Sequence, residues 1–239
     1  MSKYKMIAFD MDGTLLNSQK KVRKETLDAI NKAFDGGKEV ILCTGRALAE
    51  LEEYIELIPR MRYIVMTSGA IVYDIKEKKD IYANEISVEI MDEILNYIKD
   101  KDIMPQMITK ESIVQKKDYE HMEDFHMGIY KPMFNEVAVK VENMLDFYND
   151  NKQPVAKLNL YHTSSEDREE TRKAIEGLDV VLANAETTSL EISAKNTTKG
   201  LGLQKLCEHL GISIDEAIAV GDADNDLDVL KRAGLSVAM

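Results

Sequence analysis

Two carboxylates stand two positions apart at the end of an apolar run, in the stretch Ile-Ala-Phe-Asp-Met-Asp-Gly-Thr-Leu-Leu (residues 7–16). On a β-strand, residues i and i+2 point to the same face, so Asp10 and Asp12 would repel each other. Such a pair is destabilising unless a cation or a proton lies between the two groups. The spacing therefore points to metal binding or acid–base chemistry, and a turn with two solvated acids is the alternative.

Three further polar clusters follow apolar runs or open predicted helices. They are Thr44-Gly45-Arg46 after the strand EVILC, Lys199-Gly200 at the start of the helix GLGLQKL, and Gly-Asp-Ala-Asp-Asn-Asp (221–226) after the strand AIAV. The Thr44 hydroxyl and the free N–H groups of its loop suit an anion at a helix N-terminus. Lys199 carries a point charge that suits a phosphate. With the two acids, these clusters supply oxygen ligands for Mg²⁺ and donors for a tetrahedral anion.

Neither acidic cluster fits the pattern of an EF-hand calcium loop. The sixth position of that loop must be Gly, but it is Leu15 when counted from Asp10 and Leu227 when counted from Asp222. A zinc site is not indicated either, because the two cysteines are isolated and the four histidines are scattered. The carboxylate-rich donor set favours Mg²⁺, whose coordination a substrate phosphate would complete.

The elements that must hold these clusters alternate between strands and helices in both outer parts of the chain. Continuous apolar strands separated by helices predict a parallel sheet covered on both faces, whose strands have their carboxyl ends at a ligand crevice. The middle of the chain instead alternates strands such as VAVKV with polar helices such as SEDREETRKAIEGL. We therefore predict an α/β core from residues 1–81 and 185–239, with a second domain, residues 82–184, inserted into it.

Composition narrows the class of protein and its partners. With 44% hydrophobic and 31% charged residues, the 239-residue chain has the profile of a soluble globular protein. A net charge of −12 argues against nucleic acid or an anionic membrane as a partner. The N-terminus leads directly into a strand rather than a secretory signal, and two cysteines in apolar contexts are typical of a reducing compartment. We expect a cytoplasmic protein that is a monomer or a small homo-oligomer.

The four clusters, in this order, resemble the motifs of the haloacid dehalogenase superfamily. The motif residues are Asp10-Met11-Asp12-Gly13-Thr14, Thr44-Gly45-Arg46, Lys199-Gly200 and Gly221-Asp222-x-x-Asn225-Asp226. The insertion between the second and third motifs resembles the type IIB, Cof-like phosphatase branch, and the resemblance covers essentially the whole chain. It implies a Rossmann-like core with an inserted α/β cap domain of C2 type that sets specificity. It also implies Mg²⁺-dependent hydrolysis of small phosphorylated metabolites, such as a sugar phosphate or a phosphorylated cofactor.

The resemblance also implies a role for each motif residue. Asp10 would be the nucleophile that forms an aspartyl-phosphate, and Asp12 would be the general acid and then the general base. A nearby carboxylate is expected to raise the proton affinity of Asp12. The Mg²⁺ ligands would be Asp10, the backbone carbonyl of Asp12, and Asp222, with Asp226 behind them as a support. The substrate phosphate would be bound by Thr44, Gly45, Lys199 and Asn225.

Two other functions stay open at this stage. A phosphomutase of the same fold would transfer the phosphoryl group of the aspartyl-phosphate to a second substrate hydroxyl. A binding or regulatory protein of the same fold would catalyse no reaction. The chain also departs from the family pattern in two places. Ser68 stands where the family often has Asn, and the family usually continues beyond the point that corresponds to Met239. We therefore expect one edge of the core sheet to be less covered.

Overall fold

The computed structural model describes residues 3–239, which divide into two compact units. The first unit comprises the residues up to Arg46 together with Leu51–Ala83 and Thr197–Met239. The second unit comprises Ala47–Glu50 and Asn84–Asn196. Both units are built around a β-sheet.

Short strands and helices make up both units. In chain order the strands are β1 (Met6–Phe9), β2 (Glu39–Cys43), β3 (Tyr63–Met66), β4 (Ile71–Asp74), β5 (Lys79–Ala83), β6 (Ile103–Ile108), β7 (Ser112–Gln115), β8 (Ala138–Val141), β9 (Lys157–His162), β10 (Val180–Asn184), β11 (Ser189–Ala194), β12 (Ala217–Gly221) and β13 (Leu235–Ala238). The α-helices are α1 (Lys24–Asp35), α2 (Glu52–Leu57), α3 (Val88–Ile98), α4 (Lys116–Glu120), α5 (Lys131–Val137), α6 (Met144–Asp150), α7 (Ser165–Ile175), α8 (Lys199–Leu210) and α9 (Leu227–Arg232). Single 3₁₀ turns occur at Leu48–Glu50, Thr67–Gly69, Gly128–Tyr130, Ile214–Glu216 and Asp224–Asp226.

The sheet of the first unit has seven strands in the order β13-β12-β1-β2-β3-β4-β5. The pairs from β13 to β3 are parallel, which confirms the parallel core that the apolar runs predict. β4 and β5 extend the sheet in antiparallel fashion instead. The reason is the tight turn Thr67–Gly69, in which Thr67, Ser68 and Gly69 have φ of 49°, 58° and 95°. This turn reverses the chain directly, whereas a parallel partner would need a long crossover.

The two edge strands of this sheet are β13 and β5, and all four residues of β13 are exposed. One face of this sheet packs against α8, whose side chains Leu203, Leu206 and Cys207 are buried in the core. Packing against this helix holds its first residue close to the strand ends described below.

Helix α8 begins at a defined residue because Thr198 caps it. The Thr198 hydroxyl oxygen accepts a hydrogen bond from the backbone N–H of Leu201 at 3.0 Å, which satisfies one of the donors that a helix N-terminus leaves free. The helix ends before Gly211, whose φ of 66° is left-handed. The cap therefore makes Lys199 the first helical residue.

The second unit is a six-stranded sheet in the order β10-β11-β9-β6-β7-β8, antiparallel except for the pair β7–β8. One face packs on α3, α6 and α7 through an apolar core. The unit ends at Asn196, whereas the predicted insertion ends at residue 184. The difference arises because β11 lies between β10 and β9 and pairs with both, so this strand belongs with the inserted sheet.

The segment that follows the second motif forms two short helical pieces. Leu48–Glu50 is a 3₁₀ turn of the second unit, and only Glu52–Leu57 is α-helical. None of the helices in residues 3–239 combines the length and the hydrophobicity that a membrane span requires.

Candidate active site

The polar clusters of the first unit meet where three neighbouring parallel strands end. Asp10 follows β1, Thr44 follows β2, and Asp222 follows β12. The order β12-β1-β2 and the parallel pairing place these three ends side by side. A backbone hydrogen bond joins two of these ends, since the N–H of Asp10 donates to the carbonyl of Val220 at 2.9 Å. The carboxyl ends of parallel strands are the usual place for a ligand crevice in an open α/β sheet.

A buried ammonium group bridges two of the acids. Nζ of Lys199 lies 2.7 Å from Oδ1 of Asp10 and 2.7 Å from Oδ1 of Asp226. All three side chains are at least nine-tenths buried. An unpaired buried ammonium would strongly destabilise the fold, and the carboxylates of Asp10 and Asp226 compensate its charge. The Lys199 ammonium is therefore a fixed part of the site rather than a mobile surface charge.

Burial and charge act in opposite directions on these groups. Burial raises the pKa of Asp10, although the adjacent Lys199 ammonium acts to lower it. Burial alone would lower the pKa of Lys199, but the Asp10 and Asp226 carboxylates outweigh it and raise that pKa above its usual value. Lys199 is thus a cation at neutral pH, and it faces the residue that the motif predicts as the nucleophile.

Asp226 is fully engaged by groups of the protein. Its Oδ1 accepts from Lys199, and its Oδ2 accepts from the backbone N–H groups of Asp222 at 3.1 Å and Ala223 at 3.2 Å. These bonds shape the loop that follows β12 and hold Lys199 from the side opposite Asp10. The geometry supports the predicted supporting role of Asp226.

The oxygen atoms of three acids form a cluster that could hold a divalent cation. One carboxylate oxygen each from Asp10, Asp222 and Asp226 lies within 4.8 Å of the others. Hard oxygen donors in this number suit Mg²⁺, which commonly takes one or two protein carboxylates and completes its coordination with water and phosphate. Because the oxygens of Asp226 are already hydrogen-bonded, Asp10 and Asp222 are the better placed ligands. The residues present therefore fit the predicted metal.

Asp222 is held in place by the first motif. The Thr14 hydroxyl donates to Oδ1 of Asp222 at 2.8 Å. Gly13 has φ of 90°, and a Cβ at this residue would lie 2.2 Å from Oδ2 of Asp222. Glycine is therefore needed both for the backbone conformation and for the close approach of the carboxylate. Thr14, a residue of the predicted first motif, thus orients the Asp222 carboxylate.

The side chain of Asp12 is bound by two cations. Arg46 donates from Nε to Oδ2 and from Nη2 to Oδ1, both at 2.9 Å, and Nζ of Lys20 lies 2.7 Å from Oδ1. Burial acts to raise the pKa of Asp12, but the hydrogen bonds and charges of Arg46 and Lys20 outweigh it and lower the pKa. The expectation that a neighbouring carboxylate raises the proton affinity of Asp12 is therefore wrong for this conformation.

Sequence reasoning did not find Lys20 and left the partner of Arg46 open. Arg46 belongs to the second motif, so its proximity to the first motif could have been inferred from the adjacent strand ends. Lys20 lies in the loop before α1, and nothing in the local sequence distinguishes it from other surface lysines.

The second motif forms a tight loop at the end of β2. Thr44 is buried, and its Oγ1 accepts from the backbone N–H of Arg46 at 3.2 Å. Because the oxygen accepts this bond, the hydroxyl proton is the part that is left to donate to a bound anion. The loop is braced by Ser68, whose N–H donates to the carbonyl of Thr44 at 3.0 Å. Gly45 is half-buried beside Thr44, and Asn225 is exposed on the loop after β12.

Known proteins are similar to this chain in sequence. The family model of the haloacid dehalogenase-like hydrolases matches residues 7–239. The phosphatase YwpJ of Bacillus subtilis is 25% identical over 254 residues, covering 98% of this chain and 89% of its own. The 5-amino-6-(5-phospho-D-ribitylamino)uracil phosphatase YcsE of the same organism is 28% identical over 239 residues, covering 98% and 83%.

Solved structures agree with this relationship. A structure described as the subclass IIB sugar phosphatase BT4131 superimposes with a TM-score of 0.81 at 22% identity, covering 98% of this chain and 87% of its own. At this identity the superposition shows the fold, whereas the family match rests on the sequence. The curated relatives YwpJ and YcsE are named phosphatases, and the match of the family model over residues 7–239 shows that this chain belongs to the haloacid dehalogenase-like hydrolases.

Proposed function

We propose that this protein is a Mg²⁺-dependent phosphatase that hydrolyses a small phosphorylated metabolite through an aspartyl-phosphate at Asp10. The observation that carries the proposal is the buried contact of Asp10 with Lys199, beside Asp222 at the strand ends. The names of the relatives support the substrate class, since one acts on a phosphorylated ribityl compound and another is called a sugar phosphatase. A sugar phosphate or a phosphorylated cofactor precursor is therefore the class of substrate that we expect.

In the first chemical step, a carboxylate oxygen of Asp10 forms a bond to phosphorus while the bond from phosphorus to the leaving oxygen breaks. The Asp12 carboxyl gives its proton to that leaving oxygen, so the product is a neutral alcohol. The Lys199 ammonium holds Asp10 in orientation and balances negative charge as the phosphoryl group approaches. The Thr44 hydroxyl donates to a phosphoryl oxygen, and Gly45 and Asn225 complete the binding of the phosphate.

In the second step, water attacks the phosphorus of the aspartyl-phosphate. Asp12 accepts a proton from this water, the bond between phosphorus and the Asp10 oxygen breaks, and inorganic phosphate leaves. Bound Mg²⁺, held by Asp10, Asp222 and the backbone carbonyl of Asp12, would supply neutralisation of the charge on the transferred group. The Arg46 and Lys20 contacts keep Asp12 ionised, which suits its role as a base. Its role as an acid requires the carboxyl to give up these contacts when substrate binds.

The second unit would then set the specificity of the enzyme, as the resemblance implies. We further propose a cytoplasmic location and a monomeric or small homo-oligomeric state, both of which rest on composition and on the family.

Phosphate release from p-nitrophenyl phosphate, with and without Mg²⁺, tests the proposal. Asp10→Asn keeps the shape of the side chain but replaces the charged nucleophile, so we expect the rate to fall by more than about a thousand-fold. Asp35→Asn is the matched control, because Asp35 is exposed and pairs with Arg60 on the surface. Full activity of Asp10→Asn would refute the assignment of Asp10 as the nucleophile. Transfer of labelled phosphate to a sugar hydroxyl rather than to water would indicate a phosphomutase.

A further inference from the structure

Tyr54 contacts both of the cationic residues that hold Asp12. It belongs to α2 of the first unit, and only 6% of it is exposed. Its hydroxyl donates to the backbone carbonyl of Lys20 at 3.0 Å, and the centre of its ring lies 5.4 Å from Cζ of Arg46. One buried side chain thus connects the two residues whose ammonium and guanidinium groups bind the Asp12 carboxylate.

The contact with Lys20 fixes the backbone of a tight loop. Lys20 has φ of 58°, a left-handed conformation that is unfavourable for a residue with a Cβ. The side-chain oxygen of Asn17 accepts from the N–H groups of Gln19 at 2.9 Å and Lys21 at 3.0 Å. The Lys20 N–H donates to the carbonyl of Asn17 at 2.9 Å, and the Lys20 carbonyl accepts from Tyr54. The backbone that carries the Lys20 ammonium is therefore held at both its N–H and its carbonyl.

The contact with Arg46 orients the guanidinium group. The group lies over the face of the Tyr54 ring, where the negative face of the aromatic ring attracts a cation. The backbone of Arg46 is held as well, since its N–H donates to Oγ1 of Thr44 at 3.2 Å and its carbonyl accepts from the N–H of Thr67 at 3.1 Å. The ring therefore restricts the part of Arg46 that its backbone contacts leave free to rotate.

The two cations leave Asp12 with one free acceptor position. An ionised carboxylate offers about four lone-pair positions, two on each oxygen. Within residues 3–239, Oδ1 of Asp12 accepts from both Arg46 and Lys20, whereas Oδ2 accepts from Arg46 alone. The position that remains lies on Oδ2, and its direction is set by the three bonds to the cations. A carboxylate held in this way can accept a proton from one direction without breaking those bonds.

We propose that Tyr54 is a positioning residue for the second chemical step, and that it acts on Asp12 through Lys20 and Arg46. The inference rests on the proposed phosphatase function. In that step the oxygen of a water molecule bonds to phosphorus, and the bond between phosphorus and the Asp10 oxygen breaks. Oδ2 of Asp12 takes the proton that the water gives up. Tyr54 keeps this acceptor oriented while the bonds rearrange.

Tyr54→Phe tests the proposal, because it removes the hydroxyl and keeps the ring over Arg46. With p-nitrophenyl phosphate and saturating Mg²⁺, the leaving group needs no proton, so hydrolysis of the aspartyl-phosphate limits kcat. We expect kcat and KM to fall together by about 10-fold, with kcat/KM changed by less than about twofold. The first turnover should then release p-nitrophenol in a burst. A smaller fraction of folded enzyme would instead lower kcat and leave KM unchanged.

Tyr148→Phe is the matched control. Tyr148 is buried in the core of the second unit, and its hydroxyl donates to the backbone carbonyl of Gln153 at 3.1 Å. The substitution therefore removes the same kind of hydrogen bond as Tyr54→Phe does. We expect a comparable decrease in Tm for both variants, but wild-type kcat and KM for Tyr148→Phe. Loss of stability would then not account for the kinetics of Tyr54→Phe.

A double-mutant cycle tests whether the Tyr54 hydroxyl acts through Lys20. Lys20→Met removes the ammonium but keeps the backbone carbonyl that Tyr54 binds, and it should lower kcat and KM together as well. In this background Tyr54→Phe should lower kcat by no more than about twofold further, whereas independent effects would multiply. Effects that multiply in full would refute the connection through Lys20. Tyr54→Leu also removes the ring from Arg46 and should lower kcat more than Tyr54→Phe does.

An NMR comparison separates a failure of this inference from a failure of the proposed function. At low temperature an ammonium held in an ion pair gives a ¹H–¹⁵N signal, and the Lys20 signal is the one that Lys20→Met removes. Tyr54→Phe should shift or broaden this signal, and Tyr148→Phe should leave it unchanged. A wild-type protein that hydrolyses no phosphate ester would refute the phosphatase, and the Lys20 signal alone would then decide whether Tyr54 positions Lys20.

The proposal is overturned if Tyr54→Phe keeps the wild-type kcat and KM, or if it lowers kcat without lowering KM. An unchanged Lys20 signal in Tyr54→Phe would overturn it as well, because the hydroxyl would then have no effect on the cation that binds Asp12.

Discussion

Replacement of Lys199 by Met is the sharpest test of how the site is held together. Met has nearly the same length and no charge, so the variant removes the ammonium and leaves the cavity filled. The Asp10 and Asp226 carboxylates, each 2.7 Å from Nζ in the wild type, then face each other without a cation. Both are buried, so solvent cannot compensate for the loss.

The magnitude follows from the burial of the partners. Removing one partner of a buried ion pair typically destabilises a protein by about 3–5 kcal/mol, because the remaining charge is left without compensation. For a chain of this length, each 1 kcal/mol lowers the Tm by about 2–4 °C, so the expected decrease is about 6–20 °C. Lys205→Met is the matched control on the same helix. Lys205 pairs with Glu208 at the surface, where solvent screens the charges, so we expect little change in stability.

Thermal and urea unfolding, each measured with EDTA and with Mg²⁺, give the comparison. In EDTA the Lys199→Met variant should unfold well below the wild type and the Lys205→Met variant close to it. Addition of Mg²⁺ should stabilise Lys199→Met more than the wild type, because the ion then supplies the charge that the ammonium no longer provides. Equal stability of Lys199→Met and the wild type in EDTA would show that Lys199 does not compensate the two acids, and the reasoning would fail.

Further predictions concern the metal site and pH. Gly13→Ala places a Cβ against the Asp222 carboxylate and displaces it, so the Mg²⁺ concentration for half-maximal activity should rise about 10- to 100-fold. An unchanged Mg²⁺ requirement would contradict the assignment of Asp222 as a ligand. Asp74 is buried and paired with Arg62, and although burial acts to raise its pKa, the Arg62 hydrogen bond and the backbone N–H bonds outweigh this and lower it. Because the folded pKa lies below the unfolded one, the pair stabilises the fold above about pH 4 and this stabilisation is lost as pH falls through the folded pKa. Asp74→Asn should therefore unfold more readily than the wild type by about 1–3 kcal/mol at pH 7, with the difference disappearing in acid, as urea titrations at several pH values would show.

Much of the fold could be predicted because the relevant information is local. An apolar run followed by a polar cluster identifies a strand and its carboxyl end, and a parallel sheet brings such ends together. The parallel strands of the first unit follow from this pattern. The antiparallel β4 does not, because it depends on the left-handed backbone of a single turn at Thr67–Gly69. The sequence did not predict that β11 belongs to the second unit either, since strand pairing depends on partners elsewhere in the chain.

The sequence by itself determined the inventory of the candidate site, namely two acids after β1, a hydroxyl after β2, a lysine at the start of α8 and an acidic loop after β12. Only the tertiary structure decided how these groups pair. Asp12 contacts Arg46, 34 positions away, and Thr14 contacts Asp222, 208 positions away. The residue type sets what a side chain can donate, accept or ionise. Its protonation and its partner depend on which distant groups the fold brings within a few ångströms, because electrostatic and hydrogen-bond energies depend on distance.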